Sequence, residues 1–137
     1  MDKWLTAAGI VVFGSGLAGA ASTEDVETYP AVPSGYEYYL QEMLFETRQD
    51  NSQVARFRFV MPLIGHEGVT FDEVEFDFLF LCETQALKAL ENDPKNVDQV
   101  IISLSDRETD FGSTTSVATQ FFEAYSIENG SCIWEGF

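Results

Sequence analysis

The stretch GHEGVTFDEVEFDFLFLCETQALKALENDP, residues 65–94, decides the fold, because its two halves point to different structures. VEFDFLFL alternates apolar and polar residues as a half-buried strand does, whereas CETQALKAL favours helix. The start settles it. Thr70-Phe71-Asp72-Glu73 has the form of a capping box, with acids in the first turn where the helix dipole favours them. The spacing predicts a helix over about 71–91, ended by Glu91-Asn92-Asp93-Pro94. At helical periodicity Phe71, Val74, Phe78, Leu81, Cys82, Ala86 and Ala89 share one face, and Glu73, Asp77, Thr84 and Lys88 lie opposite. Phe76, Phe80 and Leu87 form a second apolar stripe on a flank. One helix on one sheet leaves part of that stripe wet, making these three the candidate partner contacts. The competing reading is that the long loop after Asp106 covers them.

Strand signals surround this helix. YEYYLQEMLFET (36–47) and QVARFRFVMPLI (53–64) are rich in aromatic and β-branched residues and are separated by the polar turn RQDNS. Alternation places Arg56 and Arg58 on one face of that hairpin and Phe57 and Phe59 on the other; Pro62 ends the pairing. VDQVIISLSD (97–106) is a third strand, followed by the polar loop RETDFGSTTSVA. TQFFEAYSIENGSCIWEGF (119–137) is a hairpin around Asn129-Gly130, pairing Ile127 with Cys132, Tyr125 with Trp134 and Glu123 with Gly136. Phe121, Tyr125, Ile127, Cys132 and Trp134 then face the helix. The expected fold is α+β, an antiparallel sheet of about five strands in the order β-β-α-β-β-β with one helix packed on one face.

The N-terminus has a different character. Residues 1–20 combine a short polar start, an apolar run from Leu5 to Leu17 and the small residues Ala18-Gly19-Ala20, the layout of a cleaved signal peptide. A retained anchor is the alternative, but glycines interrupt the run and it is short for a span of about 20 apolar residues. Residues 21–35 read as a flexible acidic arm and residues 36–137 as a single α+β domain. This places the protein in the periplasm, with no stable membrane insertion after cleavage. The formal net charge of −16 is unchanged when Asp2 and Lys3 leave with the leader, and such a surface repels nucleic-acid phosphates. The two cysteines, Cys82 and Cys132, both lie in the exported part and are read as a disulfide; a metal pair lacks further ligands, and a redox site lacks the C-x-x-C spacing.

Candidate chemistry is sparse. Asp106, Arg107, Glu108 and Asp110 sit at the mouth of the third strand, and loops of this kind carry function often enough to make Asp106, Arg107 and Asp110 candidate ligand residues. Glu123 points inward beside Tyr125, so it is catalytic, paired with an arginine such as Arg107, or partly wet at the sheet edge. No G-x-S-x-G, H-E-x-x-H, phosphate-cradling or dinucleotide motif occurs, and the single histidine, His66, has no nucleophile placed beside it. No metal or cofactor is expected.

The clustered segments LSDR (104–107), FG (111–112), TQFFEAY (119–125) and C-WEGF (132–137) resemble a family of small exported alphaproteobacterial proteins of unknown function. The likeness covers residues 32–137 and implies export, one α+β domain and a pairing of the two cysteines, and no catalytic residues. The leading reading is a non-enzymatic periplasmic binding or accessory domain with a protein partner. The alternative is a small-molecule-binding or enzymatic domain using the 106–110 loop and Glu123.

Overall fold

Helix formation begins where the sequence signals it. Thr70 is the N-cap, in extended geometry, and α1 runs over residues 71–91 as α-helical Phe71–Leu81, a π-helical segment Cys82–Ala86 and a last turn Leu87–Glu91. The computed structural model describes residues 29–92 and 96–136, so the stretch read as a signal peptide (1–20) and residues 21–28 of the stretch read as a flexible arm lie outside the described residues. The capping box is not closed: the Thr70 side chain makes no cap bond, and Glu73 instead accepts from the Tyr36 hydroxyl at 2.8 Å. In the π segment the Leu87 N–H donates to the Cys82 carbonyl, five residues back.

Five strands form one sheet in the spatial order β1-β2-β3-β4-β5: Tyr39–Thr47, Gln53–Val60, Gln99–Ser105, Gln120–Glu128 and Ser131–Glu135. The fold is the expected α+β arrangement, β-β-α-β-β-β, with a mostly antiparallel sheet. The exception is β2 against β3, which run parallel, Phe57 opposite Ile102 and Phe59 opposite Leu104. A helix between two neighbouring strands carries the chain back across the sheet, so the second strand repeats the direction of the first. The other pairs, β1–β2, β3–β4 and β4–β5, are antiparallel hairpin or loop connections.

Alternation divides the sheet's faces. Phe57, Phe59, Val100, Ile102, Leu104 and Tyr125 point towards α1 and meet Val74, Phe78, Leu81, Cys82 and Ala86. Phe57, Phe59 and Phe78 are fully buried, each worth roughly 1.5–3 kcal/mol relative to exposure. Phe71 stacks on Phe78 and meets Phe121 edge-on. On the opposite face the buried apolar cluster among the described residues is the small one of Val54, Ile101 and Ala124, beside Arg56 and Arg58.

Two differences from the sequence reading concern α1. Asp77, placed on the solvated face, is fully buried: the buried arc is centred on Val74 and Leu81, and a turn at residues 32–35 covers the flank that carries Asp77. That turn belongs to the compact unit, which reaches back to Ala31, so part of the stretch read as a flexible arm is ordered. Val32 enters the core, and Ser34 donates to the Asp77 carboxylate through its N–H (2.9 Å) and hydroxyl (2.6 Å). Burial pushes the Asp77 carboxyl above the usual carboxylate range, opposed by the two Ser34 bonds. Ala89 is the second difference. It is exposed, because the extra residue in the π segment rotates the last turn and brings Leu87 and Leu90 onto the core instead.

Candidate functional site

The groove between α1 and β5 follows from two periodicities. Asn129 and Gly130 both have positive φ, 53° and 77°, the type I′ geometry that two-residue hairpins require. The hairpin register pairs Ile127 with Cys132 and Tyr125 with Trp134 as expected; pairing ends at Ala124 and Glu135, so Glu123 and Gly136 lie beyond it. Cys132 and Trp134 therefore share the face towards α1. On the helix, Phe76 and Leu79, three residues apart, project towards the same place. The Cys82–Cys132 disulfide, with Cα atoms 6.4 Å apart, ties the π segment of α1 to β5.

The result is a groove of about 250 Å³ lined by Glu75, Phe76, Leu79, Glu123, Tyr125 and Trp134, with Cys132 in its floor. Trp134 is not packed beneath the helix, as the sequence suggested. It is 61% exposed, since β5 is the outermost strand and α1 lies over β3 and β4, meeting β5 chiefly at its π segment. The Trp134 ring lies along the strand over Gly136, where an added Cβ would sit 3.1 Å from it. Phe76 is 70% exposed and Leu79 39%. The groove is acidic: Glu75 and Glu123 line it and, among the described residues, no Lys or Arg does. Burial pushes the Tyr125 phenol upward, and the charges of Glu123 and Glu83 add to the shift.

The residues of the second apolar stripe are divided. Phe80 and Leu87 are partly buried against the core, and only Phe76 opens into the groove. Leu79 and Trp134 are its other exposed apolar members. Leu79 was missed because it falls between the two stripes of the helix. Trp134 was read as interior because alternation gives the face of a side chain and not how far the opposing layer extends.

The loop after β3 occupies the other face of the sheet. Arg58, 6% exposed, donates to Glu42 and to the Thr109 carbonyl and hydroxyl, each at 2.9 Å for Thr109. Arg56 pairs with Glu46 at 2.6 Å. The Phe111 ring covers both guanidinium groups, at 5.0 and 5.5 Å. Gln41 and Gln120 also donate to Thr109, which makes that residue the loop's anchor. Beneath it lies a cavity of about 210 Å³ lined by Arg56, Arg58, Ser103, Phe111, Gln120 and Phe122 among others.

The sequence candidates in this loop have defined places. Asp106 accepts from Arg107 (2.9 Å) and from the Thr119 N–H (3.1 Å), and these bonds hold its carboxyl below the usual carboxylate range. Its side chain fills the space a Cβ on Gly65 would take. Arg107 is half-exposed and paired with Asp106, not with Glu123. Asp110 borders the cavity under Phe111 and a more open cleft of about 350 Å³ shared with Gln41, Arg107, Glu108 and Ser113. Glu123 belongs to the α1–β5 groove and lines neither of these. His66 is exposed at the end of the 3-10 turn Pro62–Gly65. Among the described residues no group of three or more His, Cys, Asp or Glu side chains is placed to hold a metal ion.

These features define a small α+β domain with a helix on one sheet face, a strapped loop on the other, and an apolar groove beside a disulfide. A family model described as "Family of unknown function (DUF6497)" matches residues 12–137. The chain belongs to that family. No curated protein and no solved structure matches it.

Proposed function

We propose that this chain is an exported, non-enzymatic binding domain that meets a protein partner at the groove between α1 and β5. The observation that carries this reading is the exposure of Phe76, Leu79 and Trp134 together around a groove with an acidic rim. Large apolar side chains gathered at one place are costly to leave in water, and their clustering marks contact surfaces. Export is supported by the leader-like residues 1–20 and by the disulfide, which persists in oxidising compartments. Among the described residues no helix is long and apolar enough to cross a membrane.

The small-molecule reading has less support. Its residues are divided between two faces of the sheet, and both arginines under Phe111 are already engaged by glutamates. An anion entering there would have to displace Glu42 or Glu46. The test is capture of the protein with its partner from a native periplasmic extract. Phe76→Glu and Trp134→Glu should each abolish capture while leaving the fold intact, and Phe122→Glu, on the opposite face, should retain it. Capture that survives both groove substitutions and fails with Phe122→Glu would move the site to the loop face.

A further inference from the structure

The groove is bounded on its outer side by main chain. Strand β5 has β4 on one side and, among the described residues, no strand on the other. In a two-residue hairpin the residues flanking the turn exchange hydrogen bonds, and bonded pairs then alternate along the ladder. Glu128 with Ser131, Ser126 with Ile133 and Ala124 with Glu135 are thus the bonded pairs. Cys132 and Trp134, between them, direct their N–H and C=O groups to the open edge, and their side chains face the groove.

We infer that the partner is an extended, cationic segment that adds as a sixth strand beside β5; this rests on the groove being the contact surface. A strand laid along that edge would satisfy the main-chain groups of Cys132 and Trp134. Alternate side chains would drop beside Trp134, Phe76 and Leu79. Charge selects the sequence class. Glu75 and Glu123 line the groove, Glu135 sits on the edge strand itself, no Lys or Arg among the described residues lines the groove, and the whole chain carries −16. Apolar side chains set beside Trp134, Phe76 and Leu79 answer the groove, and Lys or Arg on the alternate positions lie on the face of Glu135 and within the field of the acidic chain, whereas an acidic segment meets repulsion. A second copy of this chain is disfavoured on the same ground, since pairing β5 with β5 brings Glu75, Glu123 and Glu135 of two highly acidic molecules together.

The probe is an acetylated, amidated hexapeptide of alternating Lys and Val, titrated into the full-length protein carrying Trp4→Phe. Trp134 is then the sole tryptophan and reports from the groove itself. Saturable binding should shift its emission to the blue, and an alternating Glu and Val peptide should leave it unmoved. Two isomers of the Lys peptide, N-methylated on one alternate set of residues or the other, read the main-chain contacts. One set should weaken binding at least tenfold and the other should be tolerated. Tolerance of both sets overturns strand addition and leaves a groove read by side chains alone. Equal binding of the acidic peptide overturns the charge class, and a β5-mediated dimer in sedimentation that Trp134→Glu dissociates makes a second copy the occupant. If no peptide moves Trp134, strand addition fails, and loss of native capture by Phe76→Glu still distinguishes that failure from failure of the groove itself.

Discussion

Replacing Cys82 and Cys132 together by alanine removes the one covalent tie between α1 and β5 among the described residues. The bridge closes a loop with a sequence separation of 50, for which restriction of the unfolded chain alone is worth about 4 kcal/mol. Both cysteines are also in the core cluster, at 0% and 6% exposure, so little solvent relief offsets the loss. A total stability of about 5–15 kcal/mol is ordinary for a domain of this size, which makes the bridge a large share. The midpoint of thermal unfolding should fall by roughly 15–20 °C. Unfolding followed by far-UV circular dichroism and by Trp134 emission, with Trp4→Phe in both the oxidised parent and the double variant, measures it. Amide exchange should rise first in β5, which has only β4 and the bridge to hold it. A loss below about 1 kcal/mol, with β5 exchange unchanged, would refute the assignment of the bridge as the strand's anchor.

Further predictions concern the two buried charges. Burial raises the Asp77 carboxyl above its ordinary value of 3.8, so the protonated form is favoured in the folded state. Its stabilising contribution is full below 3.8 and is lost as pH rises through the folded value. Asp77→Asn keeps an acceptor for the Ser34 N–H and should flatten that part of the stability–pH curve; Asp77→Ala leaves the Ser34 N–H and hydroxyl without their acceptor and should cost about 1–3 kcal/mol at any pH. Urea titrations from acid to neutral pH distinguish the three proteins. Arg58→Ala leaves Glu42 without its cation and frees Thr109 from β2, costing about 1–3 kcal/mol and exposing residues 106–118 to limited proteolysis. Arg107→Ala, half-exposed and paired only with its neighbour, should leave both unfolding and proteolysis close to wild type.

The architecture was legible wherever a local signal coincided with a periodic one. Thr70 and the first-turn acids located the helix start, Asn129-Gly130 located the last turn, and alternation from it gave the observed pairs of Ile127 with Cys132 and Tyr125 with Trp134. The parallel β2–β3 pair was not seen, because strand direction is set by the crossover and leaves no mark within either strand. The π segment was hidden for a similar reason: a 3.6-residue period cannot register one inserted residue, so in the last turn Ala89 was assigned to the core where Leu87 and Leu90 pack instead, while Ala86 and Lys88 fall as the period placed them. Asp77 shows the limit of reading charge as exposure, since its partner Ser34 is 43 residues away. The groove was only half legible. Phe76 stood out as apolar where the core could not reach it, but Trp134 and Leu79 join it through the edge position of β5, a property of the assembled layers.

The central claim is that the partner meets the α1–β5 groove. Site-specific photocrosslinking in intact cells tests it most directly, with p-benzoyl-phenylalanine replacing Phe76 or Trp134 in the groove, or Phe122 on the opposite face. The same crosslinked partner is expected from positions 76 and 134 and none from 122. A partner caught from 122 alone would contradict it and shift attention to the loop held by Arg58.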